Sequence, residues 1–170
     1  ILIQGMGNVG SFLAKLLYKE GATILFSETN PDTVASLSGK TDYRYVAPED
    51  LFQTPCDIFS PCAQGGNLNS DTIPRLLCKG IAGAANNQLL DPEEHIRLLQ
   101  AHNIVYAPDF VCSLGGAMGI TLMEGDGIPY DEVLERVQNS IGEALRGIFS
   151  MASTEKLDVV RAAYRYTGMG

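Results

Sequence analysis

The sequence predicts an α/β fold, a doubly wound and mostly parallel sheet with helices on both faces. Three observations predict it. Short apolar runs alternate with helical patterns along most of the chain, the first run ends in a turn of closely spaced glycines, and two helical stretches open on a capping residue followed by proline. Parallel strands need helical crossovers to bring the chain back to the same edge, so such alternation points to a sheet covered on both faces.

Residues 1–4 form an apolar run ended by Gly5, after which Val9, Phe12, Leu13, Leu16 and Leu17 recur at helical spacing up to Gly21. Residues 23–27 are rich in strand formers, and Asn30-Pro31 then supplies a cap and a proline suited to the first helical turn. Residues 43–46 read as a third strand and 57–61 as a fourth. Residues 71–78 read as a short helix interrupted by Pro74, leading to an apolar strand over 80–84. Asp91-Pro92-Glu93-Glu94 is a helix start in which Asp91 caps and Glu94 reaches back to complete a capping box. A strand over 104–107 is closed by Pro108. Val133, Leu134, Val137, Ile141, Leu145 and Ile148 mark one amphipathic helix over 131–149, and 157–166 forms another. No repeat and no low-complexity linker divides the chain, so one domain over residues 1–170 is expected.

Bulk properties narrow the function classes. With 45% apolar and 19% charged residues, the composition is that of a folded chain, and 170 residues suffice for a core without metals or disulfides. A net charge of −8 gives no electrostatic grip on a phosphate backbone, so no nucleic-acid partner is expected. No apolar stretch is long enough to span a bilayer, so no membrane partner is expected either. Cys56, Cys62, Cys78 and Cys112 form no Cys-x-x-Cys pair; they read as reduced thiols of a cytoplasmic protein, with no metal site. His95 and His102 have no cysteine or acidic ligand set around them and read as surface histidines, while Lys15 and Lys19 read as a solvated helix face.

Gly5-Met6-Gly7-Asn8-Val9-Gly10 spells G-x-G-x-x-G between a predicted strand and a predicted helix. In that context the pattern is a dinucleotide fingerprint, and the fold becomes Rossmann-type. Gly5 permits the tight turn, Gly7 keeps a Cβ away from an approaching pyrophosphate, and Gly10 allows close packing; the helix start then offers N–H groups and partial positive charge to phosphate. Glu28 ends the second strand, where its carboxylate can accept from the ribose hydroxyls of adenosine. A 2′-phosphate there meets negative charge, and Lys40, the nearest cation in sequence, lies too far along, so NAD is expected over NADP. The same glycines serve packing alone in some strand ends, and S-adenosylmethionine enzymes use related turns.

The variant G-x-G-N-V-G with Asn8 and Val9, the run C-D-I-F-S-P-C-A from Cys56, G-A-A-N-N-Q-L from Gly83, and Y-A-P-D-F-V from Tyr106 with Gly115-Gly116 appear in a distinctive order and spacing. In these motifs the sequence resembles the glutamate/leucine/phenylalanine/valine dehydrogenases over residues 1–116. The resemblance implies oxidative deamination of an L-amino acid, with an apolar side chain a better guess than glutamate, to a 2-oxo acid and ammonia, hydride passing to NAD. It also implies that the glycine turn and Glu28 hold pyrophosphate and adenosine, while Cys62, Ala63, Gln64 and Asn86 lie along the nicotinamide ribose and ring. Ala63 and Asn86 follow predicted strands, where a doubly wound sheet presents its ligand, although Asn86-Asn87 also reads as a plain turn.

Two features depart from the family pattern. Ser113 stands where the family has an asparagine two residues before Gly-Gly, placing Ser113 beside substrate or at the cap of the following helix. The segment 117–125 also differs, so the pocket that selects the side chain is not inherited by analogy. The family keeps its catalytic lysines and aspartate in an N-terminal domain, and no Lys-rich glycine motif occurs among Lys15, Lys19, Lys40, Lys79 and Lys156. The chain opens at Ile1 inside a strand, as a fragment would, so no catalytic residue is expected in it and the catalytic domain is expected outside it. The full protein is expected to be a homo-oligomer. Two readings stand: the cofactor half of an amino-acid dehydrogenase, and a free-standing, non-catalytic dinucleotide module.

Overall fold

A computed structural model describes residues 1–39 and 41–168. The chain divides into two compact units, Ile1–Tyr106 and Ala107–Gly170.

The first unit is a six-stranded sheet. Its strands are β1 (Leu2–Gln4), β2 (Leu25–Ser27), β3 (Arg44–Tyr45), β4 (Ile58–Pro61), β5 (Gly80–Ile81) and β6 (Val105–Tyr106), in the order β3-β2-β1-β4-β5-β6. Every pairing is parallel, with Ile3 opposite Phe26 on one side and Ser60 on the other. This is the Rossmann order, in which the direction of winding reverses beside β1. Leu2, Ile3, Phe26, Phe59 and Ile81 are all but fully buried, as parallel strands covered on both faces must be. Burial of each such side chain contributes roughly 1.5–3 kcal/mol.

Helices α1 (Asn8–Lys19), α2 (Pro31–Ser38) and α3 (Pro92–Ala101) make three of the crossovers. Ala14 of α1 is fully buried against the cluster of Ile3, Met6, Ile24 and Phe26. The other two crossovers carry 3₁₀ structure, the six residues Pro48–Gln53 and the single turn Ile73–Arg75. The helix expected over 71–78 is therefore only that second turn: Asn69 Oδ1 accepts from the Asp71 and Thr72 amides, Pro74 has no N–H to give, and Leu76 is already extended. The strand expected over 80–84 stops at Ile81, because Gly83 packs on Pro61 so closely that a Cβ would collide with the Pro61 backbone.

Asn30 caps α2 as expected, its Oδ1 accepting from Asp32 N at 2.9 Å. At α3 Asp91 accepts from Glu94 N at 3.0 Å, but His95, not Glu94, completes the box: Asp91 N donates to its Nδ1 at 2.9 Å. Glu94 instead accepts from the Ser70 hydroxyl at 2.8 Å. His95 is thus not a surface residue, being 3% exposed, whereas His102 at the end of α3 is exposed.

The second unit is helical: α4 (Asp109–Cys112), α5 (Leu114–Ile120) running into a π turn (Thr121–Gly125), α6 (Tyr130–Glu155) and α7 (Val159–Thr167). α6 passes the expected end at 149, since no glycine or proline interrupts 150–155, and stops at Lys156 in the left-handed region, φ 57°. Asp158 then caps α7 by accepting from Arg161 N at 2.9 Å. Gly147 lies under the Tyr166 ring, Gly115 touches Val137 and Ile141, and the Phe110 and Tyr164 rings stack at 5.0 Å.

Candidate functional site

The turn after β1 is shaped by two glycines and opened by a third. Gly5 has φ +89° and donates from N to Ser27 O at 2.8 Å; a Cβ on it would sit 2.8 Å from that of Ala63. A Cβ on Gly10 would strike the Gly5 carbonyl oxygen, so the first turn of α1 lies directly on the turn that precedes it. Gly7 is the opposite case: it is exposed, and a Cβ would meet nothing within 4 Å. The space in front of Gly7 is therefore kept clear by the sequence, not required by the fold. Met6 is buried and its carbonyl accepts from Ser11 Oγ at 2.6 Å, which pins the turn, while Asn8 and Val9 are exposed. No side chain caps α1 and no acidic residue occupies its first turn, so its leading amides keep their donor capacity and partial positive charge.

Glu28 is tied to this turn. Its Oε2 accepts from Met6 N at 2.8 Å, and its Oε1 accepts from Thr29 N at 2.7 Å and Asn30 N at 2.9 Å. Partial burial works against the charge, but the Asn30, Met6 and Thr29 amides outweigh it and hold the carboxyl below its ordinary value. Oε1 is filled by two amides, whereas Oε2 has one, leaving a lone pair for a further donor. Lys40 lies outside the described residues, and no ion pair of Glu28 occurs among those described.

A group whose folded pKa is depressed contributes stability that is fully present above its unfolded pKa, about 4.3 for Glu, and lost as pH falls through the folded value. The melting curves of the native chain and of Glu28→Gln are accordingly expected to differ most near neutrality and to converge in acid. Melts at stepped pH values check this; a difference that grows as pH falls contradicts the ionised carboxylate.

The loops after β4 and β5 complete the site. Cys62 donates from N to Gln4 O at 2.8 Å and is half-buried, and Ala63 and Gln64 beyond it are exposed. Asn86 is exposed at the tip of the next loop, beside Asn87, whose φ is +52°. Ala63 lies against Gly5, and Gly65 lies against the Asn86 and Asn87 carbonyls. The glycine turn, Glu28, residues 62–64 and Asn86 thus share the carboxyl end of the sheet beside the reversal of strand order, where open α/β sheets bind ligands.

Ser113 belongs to the second unit, between α4 and α5. Its N–H donates to Asp109 O at 2.8 Å and its side chain makes no capping bond, so the capping role considered for it does not hold. The grouping of Ser70, His95 and Glu94 has the residue types of a hydrolytic triad without its chemistry. His95 Nδ1 accepts from a backbone amide, so in the neutral ring Nε2 carries the proton toward Ser70 Oγ, 3.1 Å away, and cannot take one from it. The cysteines are free thiols. Among the described residues, no cluster of three or more His, Cys, Asp or Glu is placed to hold a metal, and no helix is long and apolar enough to cross a membrane.

Known proteins are similar to this chain in sequence and in fold. The chain is 38% identical over 170 residues to a phenylalanine dehydrogenase of Caldalkalibacillus thermarum, an alignment covering 96% of this chain and 45% of that protein. It is 34% identical over 165 residues to a leucine dehydrogenase of Geobacillus stearothermophilus, covering 97% and 44% respectively. The crystal structure of L-tryptophan dehydrogenase from Nostoc punctiforme superposes with a TM-score of 0.91 at 34% identity, over 97% of this chain and 49% of that one. The chain thus spans about half the length, or slightly less, of the relatives it matches. A family model covers residues 26–168, and with it the chain belongs to the Glutamate/Leucine/Phenylalanine/Valine dehydrogenase family.

Proposed function

We propose that this chain is the NAD-binding part of an amino-acid dehydrogenase that oxidatively deaminates an L-amino acid, preferably one with an apolar side chain, to a 2-oxo acid and ammonia. The observation that carries the reading is the clear space over Gly7, bordered by uncapped α1 amides on one side and by Glu28 with an unfilled acceptor position on the other. A dinucleotide fits both halves. Its pyrophosphate lies over the turn of Gly5, Met6, Gly7, Asn8, Val9 and Gly10 and takes the leading amides and partial charge of α1, and an adenosine ribose hydroxyl donates to Glu28 Oε2.

The remaining residues act on the other half of the cofactor. Cys62, Ala63, Gln64 and Asn86 line the path of the nicotinamide ribose and ring, with the Asn86 amide able both to donate and to accept. Ser113 stands on the substrate side. Bound NAD supplies the hydride acceptor, and this chain orients it; the groups that anchor the amino-acid carboxylate and move its protons belong to a second, catalytic domain. The relatives named for phenylalanine and leucine support an apolar substrate. A homo-oligomeric, cytoplasmic protein completes the proposal.

Calorimetric titration of the chain with NADH and NADPH tests it. NADH is expected to bind at least about tenfold more tightly, since a 2′-phosphate meets the Glu28 carboxylate. Equal affinities contradict the role of Glu28, and a response to S-adenosylmethionine alone contradicts the cofactor.

A further inference from the structure

The loops after β4 and β5 are joined far beyond the two short strands they extend. Ala85 N donates to Pro61 O at 2.9 Å, Gly66 N to Asn87 O at 2.7 Å, Leu68 N to Gln88 O at 3.1 Å, and Leu90 N to Leu68 O at 3.1 Å. A glycine of each loop fits against the backbone of the other: a Cβ on Gly83 would collide with Pro61, and one on Gly65 with the Asn86 and Asn87 carbonyls. An isolated bridge between Leu68 and Leu89 closes the outer end.

Within this double loop, side-chain amides hold the carbonyls next to the predicted contact residues. Gln88 is 1% exposed, and its Nε2 donates to Gly83 O at 3.0 Å and Ala85 O at 2.9 Å, bracketing the approach to Asn86. Asn67 Nδ2 does the same for the other loop, donating to Gln64 O at 2.8 Å. The loop tips are thereby fixed before any ligand arrives, whereas the glycine turn and Glu28 have their own supports in Ser11, Thr29 and Asn30.

We infer that Gln88, with Asn67 in a lesser part, is a positioning residue for the nicotinamide half of the dinucleotide alone: it presets the shelf formed by residues 62–64 and Asn86 and does not touch the adenosine half. The inference rests on the dinucleotide reading and deepens it. An ordering cost that the free protein has already met is not charged to the ligand, so loosening the shelf weakens only the ligand that uses it.

The test compares NADH with ADP, which keeps the adenosine and the diphosphate but lacks the nicotinamide and its ribose, on the native chain, Gln88→Met and Asn67→Ala. Gln88→Met keeps the length and loses the donor. It is expected to weaken NADH about tenfold while ADP stays within about twofold. Parallel loss of both ligands, or no loss of either, overturns the inference, because a merely structural role lacks this selectivity. Should Gln88→Met lose its cooperative melt, Asn67→Ala, in an exposed turn, decides by the same comparison with a smaller expected loss of about threefold. A native chain that binds neither ligand overturns the dinucleotide reading and this inference with it; native binding of both with parallel losses in the variants overturns this inference alone.

Discussion

Gly7→Leu is expected to weaken NADH binding about 100-fold or more while shifting the melting temperature by no more than about 3 °C. The two halves of that result have different origins. Gly7 has φ −66° and ψ −162°, extended backbone that any residue adopts, and a Cβ on it meets no atom of the protein. Loss of glycine at a helix N-cap costs the fold about 1 kcal/mol at most. A leucine side chain there occupies the space in front of the α1 amides, and a diphosphate cannot approach them. Calorimetry with NADH, beside a thermal melt of the same sample, reads both halves; unchanged affinity removes the glycine turn from the site.

Gly10→Ala is expected to do the reverse, costing about 3 kcal/mol of stability and lowering the melting temperature by roughly 10 °C. The added Cβ falls on the Gly5 carbonyl oxygen, with the Cys62 Cβ 3.5 Å away. A backbone carbonyl at the end of a central strand has nowhere to go, because the Gly5 N–H is already fastened to Ser27 O. Differential scanning calorimetry checks this, and a melting temperature within about 2 °C of the native chain contradicts the close contact. Two glycines three residues apart thus carry opposite burdens, one belonging to the ligand and one to the fold.

Much of this was legible because its signals are local. Gly5, Gly7 and Gly10 between an apolar run and a helical stripe specify strand, turn and helix within about twenty residues, and Asn30-Pro31 and Asp91-Pro92 announce their helices from neighbouring positions. Glu28 follows β2 as its place in the sequence implies, while the loops at 62–64 and 86 are pointed to by the family resemblance, with Ala63 and Asn86 following strands as expected.

Contacts between distant segments were not legible. Nothing near His95 signals that the Ser70 hydroxyl, 25 residues earlier, meets its Nε2, so it read as a solvated residue. The apolar run at 80–84 gives no sign that Gly83 turns onto Pro61. Residues 109–125 carried no clear periodicity, being rich in glycine, and their short helices and π turn hold through neighbours such as Val137 and Ile141, not through propensity. Within the site, Gln88 was visible as a letter of the G-A-A-N-N-Q-L run, but its two carbonyl partners follow only from the path of the loop.

The site as a whole stands or falls on where a bound dinucleotide puts its charge. A crystal structure of the chain grown with NADH is the most direct measurement. The account predicts diphosphate oxygens within hydrogen-bonding distance of the amides at the start of α1, above Gly7, and an adenosine ribose hydroxyl on Glu28 Oε2. A diphosphate bound elsewhere, with Glu28 still bonded only to Met6, Thr29 and Asn30, would contradict it.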